Sequence, residues 1–203
     1  MDLMVQWWFA YLAVGLFVGF FAGLLGIGGG TLLVPLMVFL FTAQDFPVER
    51  ILHLAIGTSL ASIVFTSLSS IRAHHTRGAI LWPTVKQSAL FLVIGTFSGS
   101  FFAESLNPAV LAALFVLFAG YASAQLILDL KPKPTRNLPK SIGMGVGSGF
   151  IGVISSLVGI GGGVITIPLM VMHNIPMRNA IGTSAALGLP IALAGSLGYI
   201  WNG

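Results

Sequence analysis

The chain has 203 residues, 56% of them hydrophobic and only 7% charged, with a mean hydropathy of +0.99. A water-soluble domain carries about 25% charged residues and could not cover its surface with so few, so the expected solvent is the bilayer. The net charge of +4 comes from nine basic residues, several in one short loop, which reads as a topology signal and not a nucleic-acid footprint; the absence of cysteine removes disulfides, thiolate metal sites and a cysteine nucleophile.

Six strongly apolar regions follow in chain order. The first runs from Trp7 to Phe41 and is interrupted by Gly-Ile-Gly-Gly-Gly at Gly26–Gly30. Its apolar start is longer than a signal-peptide core and no basic segment precedes it, so it is expected to be retained. The second region is Ile51–Ile71, the third Ala79–Ala103 with Lys86 near its start, and the fourth Pro108–Leu128. The fifth, Ile142–Met172, is interrupted by a second Gly-Ile-Gly-Gly-Gly at Gly159–Gly163, and the sixth is Ala180–Trp201. The runs are continuous rather than alternating, which argues against strands. Most match the roughly 20 residues that cross a hydrocarbon core. Regions one and five are too long for one straight helix and are expected to break at their glycines into a longer and a shorter helix.

Arg72–Arg77 joins regions two and three, and the proline-rich stretch Asp129–Lys140 joins regions four and five. These loops and Lys86 hold seven Lys/Arg, against Arg50 and Arg178 in the loops expected on the opposite side. Basic loops stay in the cytoplasm, so both are expected inside an inner-membrane, multi-pass protein.

The chain also resembles itself. Gly23–Val38 and Ser156–Val171 are identical at ten of sixteen positions, and Ala55-Ile-Gly-Thr-Ser59 recurs as Ala180-Ile-Gly-Thr-Ser184. Two matches in the same order imply duplication, an architecture of secondary transporters that bind near the midplane between the repeats. The expected fold is an all-α polytopic membrane protein: a first repeat over residues 1–128, a basic linker over 129–141 and a second, shorter repeat over 142–203. The first copy continues past Ile71 with a basic loop and two more spans, which the second lacks. Further C-terminal spans or a second copy of the chain are therefore expected to complete it.

The paired LxGIGGGxxxxPLM and AIGTS motifs, with the basic linker between them, resemble the TauE/SafE sulfite exporter family, also called toluene-sulfonate uptake permeases. The resemblance covers nearly the whole chain. It implies an eight-span protein of two four-span halves that moves sulfite, sulfonates or related anions across the membrane.

Three consecutive glycines cost a helix about 1 kcal/mol each, so something must require them. A helix opened there frees backbone N–H groups, and the next helix start, at Thr31 or Val164, can hold an anion without a cationic side chain. Gly28, Gly29, Gly30 and Thr31, with Gly161, Gly162 and Gly163, are the candidate cradle. The alternative is close helix packing through small residues. Pro35 and Pro168 sit in the short second helices and kink them or free a carbonyl. Thr58, Ser59, Thr183 and Ser184 could donate to anion oxygens or bond back to their own helices. His53, just inside the second span, is the candidate proton-coupling residue, with an interfacial hydrogen-bonded histidine as the alternative. No metal-ligand spacing, acid pair, nucleophile–base set, cofactor motif or ATPase motif is visible. The expected function is permeation of a small anion by alternating access. The rival is a membrane scaffold or assembly factor that transports nothing.

Overall fold

The computed structural model describes residues 3–25, 29–128 and 141–202, and every regular element within them is an α-helix. In order these are α1 (Leu3–Leu25), α2 (Gly30–Ala43), α3 (Val48–Thr76), α4 (Trp82–Ser105), α5 (Pro108–Ile127), α6 (Ser141–Val158), α7 (Gly163–Met172) and α8 (Met177–Asn202). Helices α3, α4, α5 and α8 are long and apolar enough to cross a membrane. They correspond to the second, third, fourth and sixth apolar regions. Regions one and five are helix pairs, α1–α2 and α6–α7, each divided at its glycine motif.

Contacts fix the directions of these helices. Helices α3 and α8 are antiparallel: a Cβ on Gly57 would lie 3.2 Å from Tyr199 Cβ, one on Gly195 2.7 Å from Leu60, and one on Gly188 3.0 Å from Ser67 Oγ. Helix α8 runs parallel to α4. Leu81 N donates to Thr183 Oγ1 at 3.0 Å near their starts, and Gly198 meets Ser100 near their ends. Helix α6 is also parallel to α4, through Gly145 on Phe91, Gly152 on Thr96 and Gly99 on Val153. Where helices touch through glycine, backbones approach closely, the means by which helices associate when no hydrophobic force separates them from lipid.

These directions give the molecule an acidic end and a basic end. Asp45, Glu49 and Glu104 lie at the first, where α3 starts and α4 stops; Arg72, Arg77 and Lys86 lie at the other. Arg178 corrects the expectation from sequence. It was expected opposite Arg77, yet its guanidinium donates to the Arg77 carbonyl, and Asn179 Nδ2 donates to Ala79 O at 3.3 Å. The reason is that α6 and α7 form a hairpin rather than one broken crossing. Helix α6 runs from the basic end to the glycines, α7 returns, and α8 starts again at the basic end. The pair α1–α2 folds back from the acidic end in the same way, with Gln44 Nε2 donating to Tyr11 Oη at 2.7 Å and Gly29 lying against Val18.

The two hairpins leave their second helices through the same loop. Asp45 and Asn174 both adopt the left-handed conformation, with φ of 57° and 60°. Phe46 N then donates to Phe41 O, and Ile175 N to Met170 O, each at 3.1 Å. This six-to-one closure satisfies a helix-end carbonyl, and Asp and Asn tolerate the left-handed turn better than most residues. Pro47 and Pro176 follow, their carbonyls accepting the first bonds of α3 and α8. The loop locates the eight extra residues of the first copy. The glycine motifs lie 133 positions apart, the loops 129 and the AIGTS motifs 125. Four residues, about one helical turn, are thus added on each side of the loop, so each helix lengthens without rotating its inner face away.

Candidate glycine-break site

Helix α6 ends at Val158 after an apolar run in which Ser155, Ser156, Leu157 and Val158 are all buried. The chain then needs two left-handed turns, and glycine supplies both: φ is +72° at Gly159 and +75° at Gly162. Gly162 is the N-cap of α7 and makes no side-chain cap bond. Ile165 and Thr166 donate to Gly162 O, and the N–H groups of Gly163 and Val164 before them stand at the helix start, on the positive side of its dipole. The helix begins at Gly163, one residue earlier than expected.

The break lies at mid-depth. A Cβ on Gly161 would lie 3.9 Å from Gly188 Cα and one on Gly162 2.8 Å from Ile191 Cδ1, both at the middle of α8. The hydroxyls of Ser155 and Thr166 face Gly162, each 3.4 Å from where its Cβ would stand. Thr166 Oγ1 donates to Gly162 O at 2.7 Å. Ser155 is fully buried and its Oγ has no hydrogen-bond partner. A buried hydroxyl without a partner costs stability.

The first motif meets the second here. Gly30 starts α2 and abuts the backbone of the other break: a Cβ on it would overlap Gly159 O and come within 3.0 Å of Ile160 Cα. Ser59 Oγ donates to the same Gly159 carbonyl at 2.7 Å. A Cβ on Gly163 would stand 3.5 Å from Ser184 Oγ. Gly29, Gly30, Gly161, Gly162, Gly163, Ser59 and Ser184 thus lie at or beside one junction. Thr31 stands in the first turn of α2. Gly28 lies outside the described residues.

Three candidates lie elsewhere. Thr183 Oγ1 accepts the Leu81 N–H at the basic end. Thr58 and His53 line a cavity of about 610 Å³ at the acidic end, with Glu49, Arg50, Glu104 and Tyr199 among its walls. His53 Nε2 stands 3.2 Å from the Ala103 carbonyl, the hydrogen-bonded interfacial alternative raised by the sequence. Among the described residues no group of His, Asp or Glu could hold a metal ion.

The family model for the sulfite exporter TauE/SafE matches residues 11–203. The chain belongs to the TauE/SafE sulfite exporter family. It is 34% identical over 193 residues to a probable membrane transporter protein of Haemophilus influenzae, covering 95% of this chain and 73% of that one. It is 35% identical over 201 residues to the probable membrane transporter protein YdhB of Bacillus subtilis, covering 91% and 76%. A probable membrane transporter protein of Methanocaldococcus jannaschii is 32% identical over 203 residues, covering 93% and 74%. No solved structure matches the chain.

This TauE/SafE protein carries site residues that sequence reasoning passed over. Ser155 and Thr166 flank the second glycine motif and give it its polar wall. Tyr199 Oη donates to Ser156 O at 2.9 Å and ties the end of α6 to α8. The available signal was a pair of adjacent serines, Ser155-Ser156, in an otherwise apolar turn directly before the glycines.

Proposed function

We propose that this chain is a secondary permease for a small anion, bound where the two glycine breaks meet. The observation that carries this reading is the unpaired, buried Ser155 hydroxyl beside Gly162 at the open start of α7. Backbone N–H groups and hydroxyls can coordinate an oxyanion at mid-depth without the cost of burying a fixed cation. The family's name points to sulfite or another sulfur-containing anion, such as an organic sulfonate, as the class to test. Hairpins entering from opposite ends, the same loop after each, and antiparallel α3 and α8 support an inverted-repeat arrangement, with alternating access about the junction. The excess of basic residues near Arg77 supports a cytoplasmic basic end in the inner membrane. Coupling to a proton or ion gradient follows as the working scheme, with His53 as the candidate proton carrier and no organic cofactor.

The scaffold reading has its own observation: Gly95, Gly99 and Gly152 serve close packing between α4 and α6. Flux separates the two. Purified protein in liposomes is expected to give saturable sulfite or sulfonate flux, lost in Gly162→Leu, with sulfate and thiosulfate as competitors. Absence of flux with every anion, together with no anion-dependent thermal shift, would leave the scaffold.

A further inference from the structure

The AIGTS motif occurs twice, and among the described residues only the second copy has an extended segment laid on it. In the second copy the extended turn Gly78–Leu81 lies on the start of α8. Leu81 donates its N–H to Thr183 Oγ1, Asn179 donates to Ala79 O, and Gly182 has no room for a Cβ because Ala79 O would be 2.8 Å from it. Ala79 and Ile80 are buried there. In the first copy Thr58 matches Thr183 and Gly57 matches Gly182. No described segment lies on Thr58; it borders the cavity of about 610 Å³ at the acidic end.

Two features of that cavity select its occupant. Leu54, Ala61, Leu106 and Ile200 give it apolar walls. Thr58, whose counterpart Thr183 accepts a backbone N–H, stands among these walls. A lipid acyl chain would fill the volume but brings no N–H for Thr58 Oγ1. A peptide backbone brings N–H and C=O groups at fixed spacing together with aliphatic side chains. We propose that this cavity is a docking site for an extended aliphatic peptide segment of the Ala-Ile-Leu type, anchored by a backbone N–H donated to Thr58 Oγ1.

The test uses the natural absence of cysteine. Leu54→Cys places a single thiol on the cavity wall, and its reaction rate with a maleimide is read in detergent. Gly203 follows Thr183 by 20 residues, as Gly78 follows Thr58. Ala-Ile-Leu appended after Gly203 therefore tethers the probe segment within reach, and Ser-Gly-Ser is the control. The aliphatic tail is expected to slow labelling about tenfold relative to the control, and Thr58→Val is expected to return the rate toward it. Equal rates with both tails would overturn the proposal. So would protection that persists in Thr58→Val, or protection by added phospholipid without the tail, since either marks a site for any apolar filler. The readout does not use transport, so it stands or falls apart from the anion reading.

Discussion

Ser155 and Ser59 flank the same break and carry opposite expectations. Ser59 supplies the donor that satisfies the buried Gly159 carbonyl, so Ser59→Ala should destabilise the protein by about 1 kcal/mol. Ser155 has no partner to lose. Ser155→Ala should leave the melting temperature unchanged or raise it, while abolishing any thermal shift produced by sulfite. A clear destabilisation by Ser155→Ala would mean that its hydroxyl is structural. The glycines divide in the same way. Gly162 has φ +75°, where an L-residue pays about 1–2 kcal/mol. At Gly161 φ is not positive, and the nearest atom to a Cβ is a side-chain methyl of Ile63 at 3.3 Å. Gly162→Ala should therefore lower the melting temperature distinctly more than Gly161→Ala, and equal losses would remove the special role of the left-handed cap.

At the scale of elements, the hairpins predict sidedness. Val48 and Met177 are the first residues of α3 and α8, and both are exposed. Cysteines at these two positions should react with an impermeant thiol reagent from opposite sides of sealed membranes, with Met177→Cys on the same side as His75→Cys. Labelling of Val48→Cys and Met177→Cys from one side would require α6–α7 to cross. The sequence located the apolar regions and the glycine breaks, because hydropathy and repetition are properties of residue order; the basic linker Asp129–Lys140 lies outside the described residues. It could not say whether α6 and α7 run on or fold back, since 18 and 10 helical residues suit either path. The direction is set by the sign of φ at Gly159 and Gly162, and glycine takes either sign. The Asp45-Phe46-Pro47 and Asn174-Ile175-Pro176 loops were legible in principle, but their shared left-handed turn spans different residues. Of the paired hydroxyls, Ser59 and Ser184 reach the junction and Thr58 and Thr183 do not, because adjacent helix positions point about 100° apart.

For the whole molecule, what matters is whether the two hairpins meet at one carbonyl. Gly30 abuts Gly159 O with backbone against backbone, so no change of rotamer can make room for a methyl group. Gly30→Ala must shift one hairpin bodily. Gly29, one residue earlier, faces only side-chain atoms at 3.5 Å and beyond, and Gly29→Ala should be tolerated. Ser59 approaches the same Gly159 carbonyl from α3. A methyl group at position 30 that displaces this carbonyl also removes the acceptor of Ser59, so the two losses overlap. In a double-mutant cycle, Gly30→Ala with Ser59→Ala should be less destabilising than the sum of the single changes, by at least about 0.5 kcal/mol. Ser59→Ala with Gly78→Ala, at the exposed turn of the basic end, is the additive control. Additivity in both pairs would mean that the hairpins do not share Gly159, and a single central site between them would lose its geometric basis.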